Sequence, residues 1–73
     1  MTTTERVLEF LRKNAEGSRM ANKDGSIWAD VYLDNARPED LSVTAFRSCL
    51  SGLSKLGVYK VVDGWAWGSV KMN

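Results

Sequence analysis

Cys49 is the only cysteine of the chain, and there is no histidine. The 73 residues therefore have neither an internal disulfide nor a thiolate or imidazole metal cluster to staple them. A chain this short buries only about 60 % of the surface it exposes when unfolded. What holds it together must come from one hydrophobic core, so residues 1–73 read as a single domain. Hydrophobic residues make up 44 % and charged residues 26 %, the balance of a globular rather than a disordered chain. Barrels and doubly wound sheets are excluded by size. The missing staple implies a reducing compartment or reliance on a partner. Met1-Thr-Thr-Thr-Glu-Arg lacks the basic-then-apolar order of a signal peptide, and no apolar run approaches the ~18 residues of a spanning helix. The expectation is a soluble, cytoplasmic protein with no membrane partner.

The same composition argues against an enzyme. Without histidine the commonest general base is gone, and no set of nucleophile, base and orienting group is apparent. No cofactor or metal is expected. Asn22-x-Asp24-Gly25 is spaced like part of a calcium loop, but the first and twelfth ligand positions would be Met20 and Val31. Asp30 and Asp34, spaced i, i+4, have no further magnesium ligands, so Asp30, Asp34, Glu39 and Asp40 read as a solvated acidic face. Net charge is +1 overall but unevenly spread: +1 over residues 1–25, −3 over 26–40 and +3 over 41–73.

Thr2-x-x-Glu5 has the spacing of a capping box. After it, Val7, Leu8, Leu11 and Ala15 form an apolar stripe opposite Glu5, Arg6, Glu9, Arg12, Lys13 and Glu16, which predicts an amphipathic helix over residues 3–15 ended by Gly17. Residues 17–26 have loop chemistry, with room for a short strand at 18–21. Residues 27–36 carry two patterns. Ile27, Ala29, Val31 and Leu33 alternate as in a strand, whereas Ile27/Val31, Trp28/Tyr32 and Asp30/Asp34 pair at i, i+4 as in a helix. With Ser26 as N-cap, a short helix is expected, followed by a turn at 37–40 enforced by Pro38.

Residues 41–56 carry the strongest periodicity. At 100° per residue from Thr44, the side chains of Val43, Phe46, Cys49, Leu50, Leu53 and Leu56 fall within an arc of about 120–260°. Thr44, Arg47, Ser48, Ser51 and Lys55 lie within about 60° of zero, with no carboxylate among them. Ser42 or Asp40 can cap the start, and Gly57 followed by Val58 fits a Schellman ending. Cys49, on the apolar side, reads as a packed thiol. Asp63-Gly64 between β-branched and aromatic runs predicts a hairpin over 58–70. A two-residue loop would pair Val62 with Trp65 and Lys60 with Trp67, putting both tryptophans on one face and leaving 71–73 as a frayed tail. Trp28, Tyr32, Phe46 and Trp65 read as core.

The order helix, short helix, turn, amphipathic helix, glycine, hairpin resembles the winged helix-turn-helix superfamily. The sharpest likeness is Leu50-Ser-Gly-Leu-Ser-Lys-Leu-Gly-Val-Tyr59, which is similar to the end of a recognition helix running into the first wing strand. The resemblance implies an α+β fold of three helices followed by a C-terminal β-hairpin wing. It also implies that residues 42–56 lie in the major groove of double-stranded DNA, with Thr44, Arg47, Ser48, Ser51 and Lys55 facing the bases and phosphates and Lys60 of the wing near the backbone. The residue types suit that use, since Arg grips guanine bidentately, Ser and Thr reach base edges or phosphates, and Lys neutralises phosphate. The implied function is a small DNA-binding regulator or an architectural, excisionase-like factor of a bacterium or phage, binding tightly only as a homodimer or in adjacent copies. The competing reading is a protein-interaction module on the same fold, such as a phage-encoded inhibitor of a host protein. Its contact surface would be Trp65 and Trp67, unless these form a structural cross-strand cluster with Lys60 over the Trp67 ring.

Overall fold

The structure is a computed structural model; it describes residues 1–73, with the side chain of Ser18 left out. The elements are α1 (Thr3–Lys13), β1 (Glu16–Ala21), β2 (Ile27–Tyr32), a 3-10 turn (Leu33–Asn35), α2 (Val43–Lys55), β3 (Tyr59–Asp63) and β4 (Trp67–Lys71). The strands form one antiparallel sheet in the order β1-β2-β4-β3, and both helices pack on one face of it. This α+β arrangement of two helices and a sheet replaces the expected three helices with a C-terminal wing.

The departure lies in residues 16–36. The alternation of Ala29, Val31 and Leu33 prevails over the i, i+4 pairs, because β4 offers β2 a full ladder from Trp28↔Lys71 to Tyr32↔Trp67. Ala29, Val31 and Leu33 are buried beneath the helices. A helix there would have left that ladder unmade. The expected loop at 17–26 is β1 and its turn: Gly25 N–H donates to Asn22 C=O at 3.0 Å, and Asn22 N–H donates to Ser26 C=O at 2.8 Å. Gly25, at φ 86°, occupies the left-handed position of a three-residue hairpin loop. Gly17 does not stop α1, which ends at a cap on Asn14; it lies in the β1 bulge at φ 81°.

Both helices keep the N-caps read from the sequence and α2 keeps its glycine ending, whereas α1 stops at Lys13, two residues short of 15. Thr2 and Glu5 form a reciprocal capping box on α1. Ser42 Oγ accepts from Ala45 N–H at 3.1 Å to start α2. At its end, Val58 N–H donates to Leu53 C=O and Gly57 N–H to Ser54 C=O, the two bonds of a Schellman motif, with Gly57 at φ 77°. Val7 and Leu11 of α1 and Phe46, Cys49, Leu50 and Leu53 of α2 meet Val31, Tyr59 and Val70 in one core. Val43 and Leu56, expected on the inward arc, are exposed at the two ends of α2.

The C-terminal hairpin forms, but its register differs by two residues. Tyr59 pairs with Val70, Lys60 with Ser69 and Val61 with Gly68. Gly64 alone in the turn takes a positive φ, 49°, so the turn is built on Gly64-Trp65, and Ala66 N–H returns to Asp63 C=O at 2.9 Å. Asp63 stays at negative φ, so the type I′ turn that Asp63-Gly64 would make does not form. The shift sets Lys60 opposite Ser69 instead of Trp67, and with a bulge after Val61 that places Asp63 opposite Trp67 it leaves Trp65 in the turn, apart from Trp67. The tail is stitched rather than frayed: Met72 N–H donates to Ile27 C=O at 2.7 Å, and Asn73 Oδ1 accepts from Ile27 N–H at 2.9 Å.

Candidate nucleic-acid interface

The outer stripe of α2 is built by two independent constraints. Burial of Phe46, Cys49, Leu50 and Leu53 fixes the rotation of the helix, and the Ser42 and Gly57 caps fix its length. Thr44, Arg47, Ser48, Ser51 and Lys55 are consequently all exposed. Nothing acidic lies among them on the helix. Arg47 is held in place: its guanidinium carbon sits 4.6 Å from the centroid of the Trp65 ring. Trp65 reaches it because Leu33 N–H donates to Ala66 C=O at 3.1 Å, tying the β3–β4 turn to the 3-10 turn beneath α2. Beside this pair lies a shallow cleft of about 300 Å³ lined by Leu33, Asp34, Arg37, Val43, Phe46, Arg47 and Trp65. Two guanidinium groups and one carboxylate reach it.

Lys60 is not part of this surface. It stands on the far, uncovered face of the sheet, with its ammonium 4.5 Å from the Trp28 ring centroid. Trp67 is also on that face, 6.2 Å from Tyr32, so the expected pairing of Lys60 with Trp67 is replaced by Lys60 with Trp28 and Tyr32 with Trp67. Trp65, 48 % exposed, and Trp67 are separate, and no common contact surface joins them. Of the aromatics read as core, only Phe46 is buried; Tyr32 and Trp65 are exposed and Trp28 is intermediate. The period-two spacing of Trp28, Asp30 and Tyr32 was the signal for that face, available once the segment is taken as a strand.

The acidic residues of 26–40 are dispersed. Asp40 accepts two hydrogen bonds from Arg6, at 3.0 and 2.8 Å, and the guanidinium holds its carboxyl below the usual range. Asp30 accepts from Ser69 Oγ at 3.2 Å. Among the described residues, no three His, Cys, Asp or Glu side chains gather in a metal-binding group. Cys49 is buried beside Thr4, whose hydroxyl lies 4.0 Å from its sulfur. Among the described residues no helix is long and apolar enough to cross a membrane. No family model, no curated protein and no solved structure matches the chain.

Proposed function

We propose that the protein binds double-stranded DNA through the outer stripe of α2. The observation that carries this reading is the stripe itself: five exposed side chains that can donate hydrogen bonds, two of them cationic, on a capped helix with no carboxylate to repel a polyanion. An α-helix fits the major groove, and Arg47, steadied over Trp65, is the candidate base reader. Thr44, Ser48 and Ser51 would meet phosphates or base edges, and Lys55 a phosphate. A regulator or an architectural factor would both use such a surface, and one helix of this size would need a second copy for tight binding. The second reading, a protein-interaction module, is favoured by the half-exposed Trp65 at the hairpin tip, a residue type enriched at binding hot spots.

A titration of duplex DNA at several salt concentrations tests the proposal. Contact with ~4–6 phosphates gives a log–log slope near −4 to −5. Lys55→Ala should lower all affinities alike and reduce the slope by about one, whereas Arg47→Ala should lose about 1–3 kcal/mol and relax base preference. Absence of binding at low salt removes the DNA reading and leaves the protein-partner one.

A further inference from the structure

We infer that the cleft between the 3-10 turn, the start of α2 and the β3–β4 turn is a binding site for a free α-amino acid with an apolar side chain. The inference rests on the cleft and holds whether or not α2 binds DNA.

Three segments meet there, and each is tied down. The 3-10 turn supplies Leu33 and Asp34, and Leu33 N–H holds the hairpin tip through Ala66 C=O. Arg37 clasps the turn that leads into α2, its Nη1 donating to Leu41 C=O at 2.6 Å. Val43, Phe46 and Arg47 follow at helical spacing on one side of α2. Trp65 completes the wall, its ring 4.6 Å from the Arg47 guanidinium. The walls are set before a ligand arrives, so the ordering cost of binding falls mainly on the ligand.

The lining divides by chemistry. Leu33 and Phe46, both buried, make an apolar floor, and Val43 and the Trp65 ring stand half exposed beside it. Arg37, Arg47 and Asp34 are exposed around that floor. Among the described residues the one ion pair joins Arg6 and Asp40, and Asp34 forms none with either arginine. The cleft therefore gathers two cationic groups and one anionic group that the chain itself leaves unpaired. Arg37 spends one N–H on Leu41 and Arg47 is held by stacking, so both keep donors for a ligand.

This complementarity selects the occupant. The excess of guanidinium calls for an anion, and a carboxylate fits the planar fork. Asp34 repels a plain anion and suits an ammonium group. The floor gains from covering by an apolar side chain. An α-amino acid carries all three groups on one carbon, and a cleft of about 300 Å³ is at the small end of ligand sites. A DNA phosphate would leave both the floor and Asp34 unmatched.

The test is titration of the nitrogen-labelled chain with L-leucine and with L-phenylalanine, followed at the indole N–H signals of its three tryptophans. Trp65 should shift and saturate, whereas Trp28 and Trp67, on the far face of the sheet, should not. Leucinamide lacks the carboxylate, N-acetylleucine the ammonium and glycine the side chain, so each should bind roughly tenfold more weakly than leucine, or worse. R37A should weaken leucine by a similar factor. D34N should weaken leucine but leave N-acetylleucine unchanged. Both replaced side chains are exposed, so the variants should fold, as checked by circular dichroism, and the ligand series on wild type needs no variant. No saturable Trp65 shift with either amino acid overturns the inference. So does leucine bound equally by R37A and wild type, or leucinamide bound as tightly as leucine. Glycine or inorganic phosphate matching leucine reduces the cleft to an anion site and overturns it. N-acetylleucine matching leucine overturns the free amino acid and gives the cleft to the C-terminal residue of a chain.

Discussion

The two hairpins have the same antiparallel geometry and are secured by opposite means. The β1–β2 turn is held chiefly by its own residues, with one bond from the C-terminal tail, Asn73 Nδ2–H to Gly25 C=O at 3.0 Å. Asp24 Oδ1 accepts from Ser26 N–H at 3.0 Å and Ser26 Oγ at 2.6 Å, and Ser26 Oγ accepts from Trp28 Nε1–H at 2.9 Å. The β3–β4 hairpin is held by what lies around it. The 3-10 turn donates to its tip, Arg47 covers Trp65, and the Tyr59 ring packs over Gly68 in the core. Local hydrogen bonds set a turn's geometry, whereas tertiary packing couples a hairpin to global stability. Lesions in the second hairpin should therefore unfold the molecule, and lesions in the first should loosen only their own end.

The largest effect is expected at Gly68. A Cβ there would lie 2.6 Å from Tyr59 Cζ and closer still to its hydroxyl, and it would also press on the Lys60 carbonyl. Neither the ring nor the paired backbone can yield cheaply, so Gly68→Ala should cost about 2–3 kcal/mol by overpacking. Chemical denaturation should show a lower midpoint with an unchanged slope. A variant as stable as wild type would mean that β3–β4 is no more coupled to the core than β1–β2.

Next comes the hydroxyl above that glycine. Tyr59 is 2 % exposed, and its hydroxyl finds no hydrogen-bond partner among the described residues. Burial pushes its pKa above the ordinary value. The neutral phenol is the form the fold accepts, so its contribution is intact below pH ~10 and is lost as the pH rises through the higher native value. Tyr59→Phe removes an unpaired polar group and should gain about 1 kcal/mol near neutral pH. The alkaline loss should also be smaller in that variant than in wild type. Equal alkaline loss in both would assign it to other groups.

The contrast between the hairpins also governs what the sequence could reveal. The helices were legible because periodicity and caps agree: Thr2 with Glu5, Ser42, and Gly57 with Val58 each mark a boundary that the apolar stripe also marks. Those caps carried the α2 stripe with them, and Thr44, Arg47, Ser48, Ser51 and Lys55 lie together as read. Residues 27–36 carried helical and strand patterns together, and the deciding partner, β4, lies some forty residues away. No local rule weighs such a partner. The misplacement of Lys60 and Trp67 follows from one turn. The Asp-Gly pair predicts its own commonest turn, but the contact between Ala66 and Leu33 holds the tip one residue further along.

A smaller effect is expected at Trp65. Half of its surface is in water, so Trp65→Ala should lose its stacking with Arg47, worth about 0.5–1 kcal/mol at an exposed site, plus part of its packing on the cleft. DNA affinity should fall with it, because Arg47 loses the ring that orients it. A drop of about 3 kcal/mol or more would place Trp65 among the core residues instead.

The smallest global effect belongs to the first hairpin. The hydrogen bonds from Ser26 hold the Asp24 carboxyl below its usual range. A carboxylate whose native pKa is depressed stabilises the fold above its unfolded value and loses that contribution as the pH falls through the native one. Acidification below pH ~4, or Asp24→Ala at neutral pH, should therefore release the Ser26 N–H and the turn it closes. Because the only long-range hydrogen bond to that turn comes from the terminal Asn73, whose Nδ2–H donates to Gly25 C=O at 3.0 Å, amide exchange should quicken at Asn22, Gly25 and Ser26 while the amides of α2 and β4 keep their protection. The melting temperature of Asp24→Ala should barely move. If protection fell equally in both hairpins, the β1–β2 turn would be part of the cooperative core, and the distinction between a self-held and a packing-held hairpin would be lost.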